Sequence, residues 1–413
     1  MSLSRRQVMA VGMAALLRPD RSLADANTDA FDLLSTEGRY APLLLRAIGG
    51  QDDFARSMRG QWGALVGDEG LAFQDFAPFP FPAADLSQAL AEPALEAIRA
   101  AAIGRRVVIL NEAHIASRHR QFLSQLLTVL ARDGFTHFAA ETFANDPESA
   151  RRTASLRAGA AVTQAIGYYT RDPVFAEAVR TALRLGYRLI PYEERADQRR
   201  DAGPADATAN REVAQARNFL QALAMHPKAR VVVNVGYNHL AETPDPSGVA
   251  WLALQIKRLS GIDPLTVDQA YPGSFLPQGK DSPLTTAVLG RFGFKTPIVV
   301  RSQTGDILGR GPWQPDMAVF HPSLPDVSGR PGWLAHDPER REARVRFPAD
   351  ALRGGPVIAQ AQHAEEPVLS IPADQFILRE DTRAARFYLR PGRYRIRLER
   401  LDGFQSLGEM EVS

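Results

Sequence analysis

From Arg105 to Val267, short runs of consecutive apolar residues alternate with stretches in which apolar residues return at helical spacing. The runs Arg106–Leu110, Thr136–Ala140, Tyr187–Ile190, Arg230–Val235 and Leu265–Val267 read as buried strands. The stretches Ser117–Ala131, Pro173–Leu185, Ala207–Met225 and Ser247–Leu259 read as helices. Asp172 is placed to cap the second of these, with Pro173 at its first position and Gly186 at its stop. A strand that is apolar along its whole length is covered on both faces, and strands separated by helices run parallel. The pattern therefore predicts an α/β fold, a mainly parallel sheet with helices on both faces, across residues 104–305.

Residues 27–103 form a helical N-terminal region, with helical spacing over Tyr40–Ile48, Phe54–Leu65 and Ala84–Ala102. Asp85 or Ser87 would cap the last of these. Alternating Phe and Pro across Phe76–Pro82 predicts an extended segment. After residue 305 helical spacing is lost. Glu342–Phe347, Pro356–Gln362, Gln375–Leu378, Arg386–Leu389, Tyr394–Leu401 and Gly408–Val412 read as short strands. Arg390–Arg393 and Leu401–Gly403 are turn signals between them. Residues 330–413 are thus expected to form a small β-sandwich.

Composition narrows the chemistry. The 413 residues carry 49 basic and 47 acidic side chains, a formal charge of +2. That balance favours neither a nucleic-acid partner nor a membrane surface. The chain has no cysteine, which excludes disulfides, thiolate metal ligands and a cysteine nucleophile. Any metal site would use imidazole and oxygen ligands. At the N-terminus, Arg5-Arg6 precede a weakly apolar run to Leu17 and a tail ending Ala24-Asp25-Ala26. This is the form of a twin-arginine export signal over residues 1–26. Its apolar stretch is too short to anchor in a bilayer, and no second long apolar segment follows. The expectation is a soluble periplasmic or secreted protein with no integral membrane segment.

The titratable residues fall at strand ends. The first strand runs into Asn111-Glu112-Ala113-His114, the second into Glu141, the third into Tyr192-Glu193 and the fourth into Gly236-Tyr237-Asn238-His239. Parallel strands bring such ends to one edge, where open α/β sheets bind ligands. Glu112 and His114 are two apart, so in extended backbone they point the same way. Gly236 allows a close approach of backbone. The candidate catalytic residues are therefore Glu112, His114, Glu141 and His239. The same four would hold a divalent transition metal if the reaction needs one. His119, Tyr192 and Glu193 are candidate substrate contacts, and residues 143–170 and 195–206 are candidate loops around the cleft. There is no G-x-S-x-G elbow, phosphate loop, H-E-x-x-H or glycine-rich dinucleotide turn. Acids and histidines without a serine nucleophile suit activation of water, directly or on a metal.

Asn111-Glu112-Ala113-His114, followed by His119 and Gln121–Leu127, resembles the G-E-x-H…H…Q block of ChaN-like haem-uptake proteins. Those share a superfamily with the erythromycin esterases and the TIKI-type metalloproteases. Glu141, in Ala140-Glu141-Thr142-Phe143, matches the second acidic position. Arg211–Asn218 is similar to the R-[DE]-x-x-M-A-x-N helix of the esterases, which adds Arg211 to the candidate substrate contacts. Val232–Leu240 resembles the closing strand with its G-x-x-H. The resemblance spans residues 104–270. The chain departs from the pattern in three places: Asn111 stands for Gly, Gln215 stands for Met, and Glu112 and His114 are one residue closer than in the esterases. Members of the superfamily hydrolyse esters without metal, cleave peptides with metal, or bind haem. The resemblance thus implies the fold and the site more than one reaction.

These readings lead to an exported hydrolase acting on a small-molecule or peptide substrate. His114 is expected to deprotonate water while Glu112 orients it. His239 would be a second acid/base or an oxyanion donor, Glu141 an anchor for the site or a metal, and Arg211 the holder of an acidic group. The competing reading is a haem- or iron-binding protein without turnover, with Tyr168, Tyr169 and Tyr192 as candidate ligands. A third places the working surface in the C-terminal strand region, as an envelope contact.

Overall fold

The structure, a computed structural model, describes residues 30–272, 281–353, 355–380 and 386–413. The export-signal reading, on residues 1–26, lies outside the described residues. Among the described residues six strands form one parallel sheet: β1 (Val107–Glu112), β2 (His137–Ala140), β3 (Arg188–Ile190), β4 (Val231–Gly236), β5 (Leu265–Asp268) and β6 (Met317–Ala318). Their order across the sheet is β3-β2-β4-β1-β5-β6. Val108, Leu110, Phe138, Ala140 and Val232 pack under helices α3 (Ser117–Ala131) and α4 (Pro173–Arg184). Val107, Ile109, Ala139, Val231 and Val233 pack under α5 (Pro204–Met225) and α6 (Leu252–Ser260). Two covered faces explain the consecutive apolar residues along the strands. Each buried Val or Leu side chain contributes roughly 1.5–3 kcal/mol.

The connections position the site. After β1 the chain leaves to α3 on one face, and after β4 it leaves to α6 on the other. β1 and β4 are neighbours, so the chain departs to opposite faces of the sheet at their carboxyl ends. Such a switch point is where open α/β sheets bind ligands.

The C-terminal strands are antiparallel. In chain order they are β7 (Arg341–Ala343), β8 (Val357–His363), β9 (Asp374–Leu378), β10 (Phe387–Leu389), β11 (Gly392–Arg400) and β12 (Gly403–Val412). β9-β8-β11-β12 form one sheet, and β10 pairs with β7. One face of the larger sheet shares a core with Phe387 and Leu389 of β10. Ile358 and Ile377 on its other face pack against the N-terminal helices α1 (Ala41–Gly49) and α2 (Asp53–Leu65), through Leu43, Leu44, Met58 and Trp62.

Several elements differ from the sequence reading. The helix expected over Ala84–Ala102 begins only at Ala94. Pro93 lacks an N–H and holds its predecessor in extended backbone. Leu90–Pro93 therefore pairs antiparallel with Ile298–Arg301, and Asp85 caps a turn by accepting the Ser87 amide. The helix expected from Ser247 begins at Leu252, because Asp245 draws the Ser247 and Val249 amides into a turn. The strand expected over Glu342–Phe347 is only Arg341–Ala343. Arg390–Arg393 does not join paired strands, since β10 pairs with β7 and β11 with β8 and β12. The sixth strand of the parallel sheet comes from beyond residue 305 and is two residues long, too short to show a pattern. No helix among the described residues is long and apolar enough to cross a membrane.

Candidate functional site

Glu112, the last residue of β1, is in register with Gly236, the last residue of β4. β2 lies beside β4 with Ala140 opposite Asn234, which brings Glu141 to the same edge. Glu112 is buried. Its carboxylate accepts from Nη2 of Arg120 at 2.7 Å and from Nε at 3.1 Å, and lies 3.0 Å from Nδ1 of His114. Arg120 is wholly buried. It also donates to Asp172, the N-cap of α4, at 2.5 Å and to the His114 carbonyl at 3.0 Å. Burial pushes the Glu112 carboxyl up, but the Arg120 charge and the His114 and Arg120 hydrogen bonds outweigh it and hold the group below its usual value. The His114 ring stacks on Tyr169, with centroids 3.8 Å apart and 12° between planes. Its Nδ1 is turned to Glu112, and its buried Nε2 has no hydrogen-bond partner among the described residues.

A second group of charges lies on the α5 side. Glu141 Oε2 accepts the Gly236 amide at 2.7 Å, and Oε1 accepts from Arg211 at 2.9 Å. Oε1 also lies 3.4 Å from His239 Nε2, an ion contact rather than an aligned hydrogen bond. His239 Nδ1 is 3.0 Å from Glu212. Arg211 also pairs with Glu193, whose carboxylate accepts from the Gln215 amide at 3.0 Å. One helical face supplies Arg211, Glu212 and Gln215. Burial raises the Glu141 carboxyl, but His239, then Arg211, hold it well below the usual range. Burial alone would also disfavour the His239 cation, yet Glu212 and Glu141 raise its pKa to about 10. His239 is therefore an imidazolium at neutral pH, a donor rather than a base.

Gly236 joins the two groups. A Cβ there would stand 2.4 Å from His114 Nε2 and 3.1 Å from Glu141 Oε2. Only glycine leaves room for this meeting. The next residue, Tyr237, has φ +29°, a conformation a bulky side chain adopts at a cost of about 1–3 kcal/mol. Its ring meets His114 edge-on, with centroids 5.3 Å apart.

The remaining sequence candidates are spread around this centre. Glu193 and Arg211 are the part-exposed members of the group, 25% and 20% exposed in their side chains. His119 is fully buried behind it, where Nδ1 accepts the Ala113 amide at 3.0 Å. Burial, with His321 and Arg118, holds His119 well below its usual pKa, so it braces the Glu112–His114 turn as a neutral ring. The Tyr192 hydroxyl donates to the Asn234 carbonyl at 3.3 Å. In loop 143–170, Gly167 packs on Thr142, and Thr142 accepts the Tyr169 amide at 2.7 Å, which delivers Tyr169 to His114. In loop 195–206, Arg195 donates to Asn218 at 3.1 Å, against the base of the Glu193 turn. Tyr168 packs on Phe31 in the N-terminal helical region. The Tyr168 and Tyr169 rings meet edge-on, with centroids 5.0 Å apart, whereas the Tyr192 hydroxyl is turned to the Asn234 carbonyl.

Sequence reasoning missed Arg120, Glu212 and the ion-pair role of Asp172. Arg120 continues the buried stripe of Leu123, Leu127 and Leu130 along α3, so a cation at a core position was the available signal. The donor set does not fit a resident metal ion. Glu112 and Glu141 are engaged by guanidinium groups, and the described residues contain no group of three or more His, Asp or Glu side chains placed to hold one.

No family model matches the chain, and no curated protein does. Among solved structures, the type III effector HopBA1 is similar over 46% of this chain and 89% of that one, at 14% identity and a TM-score of 0.32. A likeness at that level carries no argument about fold or activity.

Proposed function

We propose that this chain is a hydrolase whose water is activated by the Glu112–His114 pair. The observation behind this reading is the His114 ring, fixed by Glu112 at Nδ1 and by Tyr169 on its face, with Nε2 buried and unpaired at a switch point of the sheet. Glu112, kept ionised by Arg120, holds the proton on Nδ1 and leaves Nε2 as the base. Water loses a proton to Nε2 as its oxygen bonds to an ester or amide carbonyl carbon, and the carbonyl pair moves onto oxygen. Collapse of that adduct breaks the bond to the leaving group, which takes the proton from His114. His239 and Arg211 supply positive charge near Glu141 that can meet the developing oxyanion.

The motif resemblance to the ChaN-like and erythromycin esterase superfamily stands behind this reading. The engaged carboxylates favour its metal-free ester-hydrolysing branch over metal-dependent proteolysis. The substrate class is a small-molecule ester or a peptide, and residues 1–26 favour a periplasmic or secreted setting. Tyr169 stacked on His114 favours haem or iron binding instead. The test is a panel of esters and peptides with wild type and His114→Ala. Wild-type turnover should fall by about 100-fold or more in the variant. Undiminished turnover in the variant removes His114 as the base. A Soret band on haem titration, with no turnover, would install the haem reading.

A further inference from the structure

β4 reads Val231-Val232-Val233-Asn234-Val235-Gly236, so one amide interrupts a run of valines. Asparagine is a poor strand former, and the apolar packing of this strand calls for nothing polar. The Asn234 carbonyl accepts the Glu141 amide and the Tyr192 hydroxyl, but those are backbone contacts that any residue would make. By strand alternation its side chain lies on the face of Val232, with neighbours Leu110 and Ala140, away from the face of Val233 and Val235. Asn234 is 3% exposed, and its Nδ2 has no hydrogen-bond partner among the described residues. A buried amide donor left unpaired is destabilising unless something in the functional state meets it.

Two residues further along the same face is Gly236, and the place of its missing Cβ is held by His114 Nε2. Strand rise separates these two positions by about 6.6 Å. Two hydrogen bonds of about 2.9 Å through one oxygen reach at most roughly 5.8 Å, so the Asn234 amide, which extends beyond its own Cβ, turns along the strand towards Gly236 to share an oxygen with His114 Nε2. We propose that Asn234 Nδ2 and His114 Nε2 together hold the oxygen of the reacting water. This rests on the hydrolase reading of the site. Nδ2–H donates to one lone pair of the water, the water donates one hydrogen to Nε2, and the second lone pair faces the part-exposed Arg211 and Glu193. Asn234 thus sets the direction of attack, and His114 takes the proton.

The test pairs a high-resolution crystal structure with kinetics of the full chain. The wild type should show an ordered oxygen within hydrogen-bond distance of both nitrogens. Asn234→Val should remove that oxygen and lower kcat about 100-fold, with KM nearly unchanged and the melting temperature equal or higher. Asn234→Ser, which restores a short donor, should recover part of kcat and covers the case in which the valine variant does not fold. Wild-type kcat in a folded Asn234→Val overturns the proposal, and so does a wild-type map with no oxygen between the two nitrogens. If the wild type hydrolyses nothing, the hydrolase reading fails separately. An oxygen present in wild type and lost from Asn234→Val would then still support the binding position.

Discussion

Gly236→Ala isolates the meeting of the two charge groups. The added Cβ would lie 2.4 Å from His114 Nε2 and 2.5 Å from Cε1. Ordinary contact is about 3.5–4.0 Å, so the ring must withdraw by roughly 1 Å or more. The backbone at Gly236, φ −83° and ψ 148°, suits alanine, so the chain itself is not strained. The ring can retreat only by sliding over Tyr169 or by loosening its 3.0 Å contact with Glu112. A reacting group displaced by about 1 Å loses about 100-fold in rate, equivalent to about 2.7 kcal/mol of barrier. A weakened hydrogen bond to a charged group costs about 1.5–3 kcal/mol of stability. Reduced freedom of the unfolded chain returns about 0.4–1 kcal/mol. The variant should therefore fold, melt slightly lower, and turn over about 100-fold more slowly. The assay is kcat/KM on the best substrate of the panel beside a denaturant titration. Full activity in a folded Gly236→Ala protein refutes the geometry. Loss of the fold would instead make Gly236 a packing residue.

Two further outcomes follow from the ion pairs. Arg120→Met leaves the Glu112 and Asp172 carboxylates buried without their shared cation. It should cost about 3–5 kcal/mol of stability, read as a lower denaturation midpoint. A midpoint equal to wild type would mean that Arg120 neutralises neither acid. The His239 pKa of about 10 lies above its unfolded value, near 6.5. Its stabilising contribution is therefore complete below about pH 6.5 and is lost as pH rises through 10. Melting temperatures measured from pH 6 to 10 should decline more steeply in wild type than in His239→Gln, and parallel curves would count against the buried imidazolium.

The strands and most helices were legible because both periods survive burial. Continuous apolar runs marked the strands, and Asp172, Pro173 and Gly186 marked a helix at both ends. What the pattern could not carry was pairing. Leu90–Pro93 has no strand signal of its own and takes its form from Ile298–Arg301. Four strand-end residues, Glu112, His114, Glu141 and Gly236, were legible because parallel strands put their ends on one edge. The sequence showed His239 as well but not its charge, which depends on Glu212, fixed beneath it by a helix 27 residues earlier. Arg120 was hidden because a cation in an apolar stripe has no meaning until Glu112 and Asp172 are placed around it.

The buried charges also bear on one another. A buried ion network is weak evidence of stability, since desolvation offsets most of its attraction, so its arrangement asks for another reason. On the α3 side Arg120 holds Glu112 ionised, and Glu112 faces Nδ1 of His114, which in the proposed hydrolase leaves Nε2 to meet the water. On the α5 side the Gly236 amide and Arg211 each donate to one Glu141 oxygen, and no hydrogen bond joins Glu141 to the unpaired His114 Nε2. Glu212 and Glu141 in turn keep His239 cationic. One set of carboxylates therefore faces His114 and the other surrounds the His239 cation, with Glu141 and the bare backbone of Gly236 between them. In the proposed hydrolase, proton removal falls to the His114 side and charge stabilisation to the cationic His239 side, so two separate sets of buried acids serve the two tasks.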